Sequence, residues 1–273
     1  RKYRVFATCD IGGDALNRLV DHGYAVEVYE PEEGPSKQLL LEKVRSGVDA
    51  LITSVRDDID GEVFKAGRKT LKVVAQNAVG FDNIDRDAAN RCGIPFTHTP
   101  DVLTETTAEF ALFILGCVSR KLYSSEKLVR DHKWKTWHPY QPFLGDEVTG
   151  KTLAVIGTGR IGQALILKST GLNMDILCHD AVIQDQEFVE KIQALLDLRA
   201  SSGLSTHTST IQYVSFQEAL QRADYVSLHV PLSSETHHVI NRAALKLMKP
   251  SAYLINTSRG PVVDEEALHQ ALT

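Results

Sequence analysis

Residues 153–162 carry the clearest chemical pattern in the chain, an apolar run that leads into closely spaced glycines. The glycines are Gly157, Gly159 and Gly162. The first permits a tight turn, the second lets the backbone approach a pyrophosphate, and the third allows a helix to pack closely on the strand. A helix that opens near Arg160 would direct its unpaired amides at the anion. The pattern predicts a dinucleotide site.

Asp180 ends the next apolar run, and its charge bears on which dinucleotide the site favours. A carboxylate at this position accepts hydrogen bonds from the adenosine ribose and repels a 2′-phosphate. Residues 181–190 contain no lysine or arginine that could bind such a phosphate. We therefore expect NAD(H) rather than NADP(H). The alternative is that Asp180 is a solvated residue at the end of a strand.

Arg259 and residues 79–80 could bind an organic acid. Arg259 follows a predicted strand at 252–256 and precedes Gly260 and Pro261, a tight exit that would hold its guanidinium at the carboxyl end of the sheet. A planar guanidinium holds a carboxylate or polarises a carbonyl through two parallel hydrogen bonds. The amides of Val79 and Gly80, just beyond another strand, could bind a carboxylate. The alternatives are a surface arginine and, for residues 79–80, an ordinary turn, which these residues alone favour.

The elements that must position these groups follow an alternating pattern. Short apolar runs alternate with amphipathic stretches over residues 4–100, which predicts a parallel sheet with helices on both faces. The predicted strands lie at 4–8, 25–29, 50–55, 73–76 and 95–98. A single long helix is predicted over 104–127. A chain of 273 residues with 43% apolar content can bury a sizeable core and is expected to form two domains.

The second half contains the dinucleotide unit, which begins at Lys151, and a less regular stretch after Asp180. An aromatic and proline-rich loop at 134–142 precedes it. Residues 186–199 carry a weak helical stripe within an excursion between strands, and a Ser/Thr-rich run follows. Asp264 is placed to cap the last helix.

Composition excludes several classes of protein. A net charge of −5 with interspersed signs argues against nucleic acid as the main partner. The longest apolar stretch, at 110–118, is far shorter than the roughly 18 residues that a membrane span needs. The four cysteines show no spacing typical of zinc or of a disulfide framework, and no secretory leader opens the sequence. We expect a cytoplasmic protein with reduced thiols and no metal.

Five segments together resemble the D-isomer-specific 2-hydroxyacid dehydrogenases, in the same order over nearly the whole chain. They are Asn77-Ala-Val-Gly-Phe-Asp-Asn-Ile-Asp, Thr104-Glu-Thr-Thr-Ala-Glu-Phe-Ala, Gly157-Thr-Gly-Arg-Ile-Gly, Leu228-His-Val-Pro-Leu and Asn256-Thr-Ser-Arg-Gly-Pro-Val-Val-Asp. The loop Trp134-Lys-Thr-Trp-His-Pro with Phe143-Leu-Gly resembles the glyoxylate/hydroxypyruvate reductase branch. The resemblance implies an α/β fold of two doubly wound parallel-sheet domains. These are a flavodoxin-like substrate domain at 1–101 and a Rossmann NAD-binding domain at 102–273, which includes an interdomain helix and a dimerisation loop.

The resemblance also assigns roles to individual residues. Arg259 becomes the catalytic arginine that holds the oxo acid, and Trp137 would reach the substrate pocket of a neighbouring subunit in a homodimer. Val79 and Gly80 would bind the carboxylate through their amides. Independently of the resemblance, the position of Ser54 at the end of the third predicted strand makes it a further substrate-binding candidate. The cofactor-binding residues are Thr107, Gly157, Thr158, Gly159, Arg160, Ile161, Gly162, Asp180, Val230, Pro231, Thr257, Ser258 and Arg259.

The family reaction is hydride transfer from the nicotinamide to the carbonyl carbon of a small 2-oxo acid, with a histidine as proton donor and a glutamate that keeps it charged. The resemblance places both downstream of Arg259, beyond Thr273, so we expect the Rossmann domain to be truncated at its C-terminal end. No histidine in the sequence replaces the donor convincingly. His229 is better explained as a packed strand residue, His179 as a residue on the adenosine side, and His138 as part of the aromatic loop.

Two alternatives to an NADH-dependent reductase remain open at this point. The same fold also serves as an NAD-sensing, non-catalytic corepressor that binds partner peptides. The chain could also be an inactive fragment, because the catalytic glutamate and histidine are not in it. Arg259 and the loop around Trp137 favour the enzyme.

Overall fold

The computed structural model describes residues 2–137, 139–140, 143–205 and 207–273. The chain forms two compact units, Arg1–Leu103 and Thr104–Thr273, so the division falls two residues beyond the predicted boundary. Within the described residues, no helix is long and apolar enough to cross a membrane.

Unit 1 is built on parallel strands with helices between them. Its strands are β1 (Arg4–Ala7), β2 (Ala25–Val28), β3 (Ala50–Thr53), β4 (Val73–Gln76) and β5 (Phe96–Thr97). Its helices are α1 (Gly13–Asp21), α2 (Lys37–Arg45), α3 (Gly61–Gly67) and α4 (Arg86–Cys92). The strand order is β2-β1-β3-β4-β5, and every pairing is parallel. This is the flavodoxin-like order, as predicted.

Local sequence explains why three helices of unit 1, α2, α3 and α4, begin where they do. Ser36 caps α2 by accepting a hydrogen bond from the amide of Leu39, and Asp60 and Asp85 cap α3 and α4 in the same way. The apolar faces of these helices cover one side of the sheet, where Phe6, Leu51 and Val74 are almost fully buried. The carboxyl ends of β3 and β4 are thereby fixed on a packed base.

Unit 2 repeats the architecture and includes two helices of 16 residues. Its strands are β6 (Thr152–Ile156), β7 (Asp175–His179), β8 (Ile211–Tyr213), β9 (Tyr225–Leu228) and β10 (Tyr253–Asn256). Its helices are α5 (Thr104–Ser119), α6 (Leu122–Arg130), α7 (Arg160–Ser169), α8 (Gln186–Ser201), α9 (Phe216–Arg222), α10 (Arg242–Leu247) and α11 (Glu265–Leu272). Short 3₁₀ turns occupy Thr170–Leu172 and Gly260–Val262.

The sheet of unit 2 has the order β10-β9-β6-β7-β8, again with parallel pairings throughout the described strands. Read from β8, this is the Rossmann order 3-2-1-4-5, so the fold class predicted for both units is confirmed. The order reverses between β6 and β9. Ligands of such sheets bind beyond the carboxyl ends of the strands at this reversal, which here lies at Gly157 and His229.

The prediction of one helix over 104–127 is wrong. α5 ends at Ser119, and Lys121 adopts a left-handed conformation with φ 51° before α6 begins. The carbonyl of Ser119 accepts a hydrogen bond from the amide of Asp146 (2.7 Å) instead of from the next turn of helix. A Cβ at Gly145 would lie 2.3 Å from that carbonyl, so the glycine permits the close approach. A remote segment thus ends the helix, which local periodicity does not reveal.

The excursion after Asp180 is more ordered than the sequence suggested. The weak stripe at 186–199 forms α8, with Val189, Ile192 and Leu196 buried against the sheet, and Asp185 caps it. The short strand β8, which we did not predict, follows the Ser/Thr-rich run and brings Tyr213 to the edge of the sheet beside β7. Asp264 caps α11 through the amide of Ala267, as predicted.

Candidate cofactor and substrate sites

The glycine turn between β6 and α7 forms a bare backbone surface. Gly157 has φ 93°, and a Cβ there would lie 2.8 Å from the backbone carbon of His229, just beyond β9. A Cβ at Gly162 would lie 2.1 Å from the carbonyl oxygen of Gly157. At Gly159, which caps α7, nothing lies within 4 Å of the position of a Cβ. Packing requires the first and third glycines, whereas the second leaves open space over the helix N-terminus, which fits a pyrophosphate.

Asp180 lies just beyond β7 and is held by three backbone amides. Its Oδ2 accepts a hydrogen bond from the amide of Thr158 (2.8 Å), and its Oδ1 accepts from the amides of Val182 and Ile183 (both 2.9 Å). Burial by itself raises the pKa of this carboxyl, but the three amides and the nearby His179 outweigh burial and lower the pKa below its usual range. The carboxylate is therefore charged at neutral pH.

The hydrogen bonds of Asp180 limit what else it can accept. A carboxylate offers about four lone-pair positions, two on each oxygen. Both positions on Oδ1 are taken, and one position on Oδ2 is taken by Thr158. The remaining position on Oδ2 suits one hydroxyl donor such as the ribose 2′-hydroxyl, and a 2′-phosphate would be repelled.

The loops after β9 and β10 supply the other predicted cofactor residues. Val230 is half-buried and Pro231 is exposed, and the carbonyl of Pro231 accepts a hydrogen bond from the hydroxyl of Thr236 (2.5 Å). After β10, the hydroxyl of Thr257 is buried and has no hydrogen-bond partner among the described residues. A ligand with a polar group could provide that partner.

Asn256 shapes the loop that carries Arg259, and sequence reasoning did not single it out. Its Oδ1 accepts hydrogen bonds from the amide (3.0 Å) and hydroxyl (2.8 Å) of Ser258, and its Nδ2 donates to the carbonyl of Arg259 (2.8 Å). The guanidinium of Arg259 is partly buried, and its Nη1 donates to the carbonyl of Ser258 (3.0 Å). The amide side chain thus fixes the backbone on both sides of the arginine.

Thr107 lies in the first turn of α5, half-buried on the helix that packs against α7. Lys168 of α7 forms ion pairs with Glu105 (2.6 Å) and Glu109 (3.1 Å) of α5. The helix bearing Thr107 is therefore joined to the helix whose N-terminus forms the glycine turn. Arg160 and Ile161 form the first turn of α7, as the glycine pattern predicts.

In unit 1, the loop after β4 places Val79 and Gly80 with free amides. Among the residues that the structure describes, neither amide has a hydrogen-bond acceptor. The carbonyl of Val79 contacts Nδ1 of His98 (2.9 Å), and the carbonyl of Gly80 accepts from Nε2 of Gln76 (3.2 Å). The two held carbonyls fix the conformation of this loop. Its two amides are therefore held in place and are available to an anionic ligand.

A buried polar frame supports this loop and reaches Ser54. Gln76 also donates to Asn83 (2.8 Å), whose own Nδ2 donates to the carbonyls of Ser54 (3.0 Å) and Asp57 (2.8 Å). Asp57 is only 2% exposed and accepts from the amide of Ser54 (2.6 Å) and the hydroxyl of Thr8 (2.5 Å). The hydroxyl of Ser54 is buried without a partner in the described part of the chain. Sequence reasoning missed Gln76, Asn83 and Asp57, because their roles depend on long-range contacts.

The remaining residues singled out from the sequence are Trp137 and three histidines. Trp137 is 67% exposed in the loop after α6, and His138 lies outside the described residues. The ring of His229 contacts the hydroxyl of Ser227 (2.8 Å), and burial lowers the pKa of His229 to about 4. His179 contacts the carbonyl of Val214 (3.1 Å). A neutral His229 is a poor proton donor at physiological pH, and the described residues form no cluster able to hold a metal.

The fold and the glycine turn define a dinucleotide-binding Rossmann unit joined to a flavodoxin-like unit. Residues 112–273 match the family model described as D-isomer specific 2-hydroxyacid dehydrogenase, NAD binding domain. A glyoxylate reductase of Korarchaeum cryptofilum is 41% identical over 272 residues, which cover 99% of this chain and 75% of that protein. A glyoxylate reductase of Pyrococcus furiosus is 42% identical over 275 residues, which cover 99% of this chain and 75% of that protein.

Solved structures agree with these relatives. The TT0316 protein of Thermus thermophilus superposes with a TM-score of 0.83 at 39% identity, over 98% of this chain and 78% of that one. A D-lactate dehydrogenase of Aquifex aeolicus, solved with NAD and lactic acid, gives a TM-score of 0.80 at 28% identity, over 98% and 73%. The chain belongs to the D-isomer-specific 2-hydroxyacid dehydrogenases. It is an NAD-dependent oxidoreductase of the class that reduces 2-oxo acids.

Proposed function

We propose that this protein is an NADH-dependent reductase of small 2-oxo acids, with glyoxylate and hydroxypyruvate as the foremost substrates and the D-2-hydroxy acid as the product. The observation that carries the proposal is the charged Asp180 carboxylate, held by three amides beside an open glycine turn. This carboxylate favours the unphosphorylated ribose of NADH over the 2′-phosphate of NADPH. The glyoxylate reductases of Korarchaeum and Pyrococcus, similar over 99% of the chain, support the choice of substrate.

Within one chain, the substrate would be bound by Arg259, Val79, Gly80 and Ser54. Arg259 would hold the carboxylate and polarise the carbonyl of the oxo acid through paired guanidinium hydrogen bonds. The amides of Val79 and Gly80 would bind the carboxylate, because their carbonyls are already held by His98 and Gln76. Ser54, whose hydroxyl is buried without a partner in the described residues, would accept or donate one further hydrogen bond to the substrate.

The cofactor site would be lined by the residues already described. The pyrophosphate would lie over Gly157, Thr158, Gly159, Arg160, Ile161 and Gly162, with the adenosine near Asp180, Val230 and Pro231 and the nicotinamide near Thr107, Thr257, Ser258 and Arg259. When bound, NADH supplies the hydride. The contribution of this chain is to bind the dinucleotide at one end, to orient the oxo acid, and to favour negative charge on the carbonyl oxygen through Arg259.

Steady-state rates test the proposal. The protein expressed from its complete reading frame should oxidise NADH in the presence of glyoxylate or hydroxypyruvate, and NADPH at least tenfold less efficiently in kcat/KM. Equal or better use of NADPH would contradict the role given to Asp180. NADH binding without turnover of any 2-oxo acid would contradict the reductase and favour the corepressor-like alternative.

We also propose a cytoplasmic homodimer. Unit 2 exposes a band of large apolar side chains on α5, α6 and the following loop, which we call the α5–α6 face. They are Phe110, Phe113, Leu122, Tyr123, Val129, Trp134 and Trp137. Exposed apolar patches of this kind are typical of interfaces between subunits. All four cysteines are free, which fits a reducing compartment.

Light scattering after size-exclusion chromatography tests the dimer. The wild type should elute with the mass of two chains, and Phe113→Glu, which places a charge at a 65% exposed position of the α5–α6 face, should be a monomer. Val20→Glu, at a 55% exposed position of α1, is the matched control and should leave the mass unchanged. A wild-type monomer at micromolar concentration would refute the dimer.

A further inference from the structure

A chain of side-chain and backbone hydrogen bonds links the glycine turn to the loop after β7 and to β8. The phenol oxygen of Tyr213, in β8, accepts from the amide of Asp185 (3.1 Å) and lies 2.9 Å from Oγ1 of Thr158. The hydroxyl of Thr158 donates to the carbonyl of Ile183 (3.2 Å). Thr158 is completely buried within the glycine turn.

The direction of each bond follows from the groups at the two ends. An amide can only donate and a carbonyl can only accept. The Thr158 hydrogen is committed to Ile183, so the phenol hydrogen of Tyr213 points to Thr158. Every hydrogen bond in the chain therefore donates in the same direction, from Asp185 to Tyr213, from Tyr213 to Thr158 and from Thr158 to Ile183. Chains with one direction strengthen each of their bonds, and the loss of one hydroxyl weakens the whole chain.

The same residues hold the carboxylate of Asp180. The amide of Thr158 donates to Oδ2, and the amide of Ile183 donates to Oδ1. The hydroxyl chain joins Thr158 to Ile183 on the other side, so the carboxylate is enclosed by a closed ring of bonds. Ile183 is 50% exposed, so the ring adds hydrogen bonds at a position where the side chain is only half-buried.

We propose that Tyr213 and Thr158 are positioning residues of the adenosine subsite, which act by fixing Asp180 and the loop 181–185. The inference rests on NADH as the cofactor and goes beyond it. It also assigns a role to the excursion after β7. Ile183 and Asp185, the two ends of the chain of bonds, lie in this excursion, where Asp185 also caps α8, and Tyr213 lies in β8, which follows it.

Equilibrium binding of NADH and NADPH, measured by cofactor fluorescence on the full-length protein, tests the proposal. Tyr213→Phe and Thr158→Val should raise the Kd for NADH about tenfold, since a net loss near 1.4 kcal/mol corresponds to one decade. The Kd for NADPH should change much less, so the selectivity between the two should fall. The kcat of Tyr213→Phe at saturating NADH should stay within twofold, because Tyr213 lies at the adenosine end and does not touch the reacting carbon.

Two matched variants separate positioning from general damage. Thr158→Ser keeps the hydroxyl and should bind NADH within about twofold of the wild type. Tyr253→Phe removes a phenol hydroxyl of the same unit that bonds Asp146 (3.2 Å), and it should leave the Kd unchanged. If Thr158→Val does not fold, Tyr213→Phe carries the test. A folded Tyr213→Phe with wild-type NADH affinity, or a Thr158→Ser as weak as Thr158→Val, would overturn the inference. A wild type that binds neither dinucleotide would instead overturn the cofactor assignment.

Discussion

At the scale of single residues, the Asp180 carboxylate combines two tasks that are often separate. It holds the loop 181–183 against the glycine turn by accepting three amides, and we propose that its charge also selects the cofactor. An asparagine has one accepting oxygen and two N–H donors. It cannot accept from Thr158 on one side and from Val182 and Ile183 on the other, so one set of amides would face a donor.

Asp180→Asn should therefore lose more than selectivity. We expect a lower melting temperature together with a weaker affinity for NADH, because at least one amide loses its acceptor. Differential scanning fluorimetry and NADH titration measure the two effects. Asp197→Asn on the exposed side of α8 is the control and should change neither. A variant with wild-type melting temperature would show that the amides do not depend on the carboxylate.

Arg259 is expected to act through geometry as well as charge. Arg259→Lys keeps the charge but loses the paired hydrogen bonds, so kcat/KM for the oxo acid should fall by about a hundredfold or more while the Kd for NADH stays within about twofold. Stopped-flow binding and steady-state rates separate the two quantities. Unchanged turnover would remove Arg259 from the reaction.

His229 predicts a pH dependence of stability. Burial lowers its pKa to about 4 in the folded chain, against an ordinary value near 6.5. Between these values the unfolded chain binds a proton that the folded chain does not, so stability falls as the pH falls from about 6.5 to 4, by up to about 1.4 kcal/mol per pH unit from this group.

Urea unfolding at several pH values measures this contribution. The wild type should lose stability over this range more steeply than His229→Asn, so the two curves should converge towards acid. His269→Asn, whose side chain is exposed on α11, should follow the wild type. Parallel curves for wild type and His229→Asn would show that the pKa of His229 is not lowered in the folded protein.

At the scale of elements, the glycine turn divides its glycines between folding and binding. Gly157→Ala would bring a Cβ within 2.8 Å of the backbone after β9 at a φ of 93°, whereas Gly159→Ala finds open space. We expect Gly157→Ala to destabilise the protein by about 2 kcal/mol or more. Gly159→Ala should keep the wild-type melting temperature and lose NADH binding, because its methyl group would lie where the pyrophosphate approaches.

Calorimetry with and without NADH distinguishes these outcomes. Gly171→Ala, in the 3₁₀ turn after α7 and also in open space, should match the wild type in both stability and NADH affinity. A Gly159→Ala protein that binds NADH normally would place the pyrophosphate elsewhere.

What the sequence could predict at this scale depends on how local each cause is. The turn at Gly157 and the helix from Arg160 follow from adjacent residues, so the glycine spacing predicted both. The end of α5 at Ser119 depends on Asp146 and Gly145, which lie far along the chain. The apolar stripe continues past the break and gave no signal of it.

The candidate sites show the same limit. Asp180 was found because it ends an apolar run. Tyr213 escaped notice because its partners Thr158 and Asp185 are brought to it only by the pairing of β7 with β8. Gln76 and Asn83 likewise act through contacts between β3, β4 and the loops that follow them. The roles of Val79 and Gly80 came from family resemblance, since the residues alone favoured an ordinary turn.

At the scale of the whole molecule, the two units carry different parts of the proposed reaction. The Rossmann unit holds the glycine turn and Asp180, and NADH bound there should raise the melting temperature by an amount that grows with the logarithm of the ratio of its concentration to its Kd. At a concentration one hundred times its Kd, a ligand of the folded state stabilises it by about 2.7 kcal/mol. NADH should slow amide hydrogen exchange at residues 157–162 and 180–185. If NADH slowed exchange only at other residues, the assigned site would be contradicted.

The most direct measurement follows the transferred hydride itself. Protein from the complete reading frame is incubated with glyoxylate or hydroxypyruvate and with NADH that carries deuterium at both positions of C4 of the nicotinamide, and the product is analysed by mass spectrometry and chiral chromatography. The account predicts deuterium at C2 of the 2-hydroxy acid, and the D-isomer from hydroxypyruvate. A product without deuterium, or an L-isomer, would contradict it.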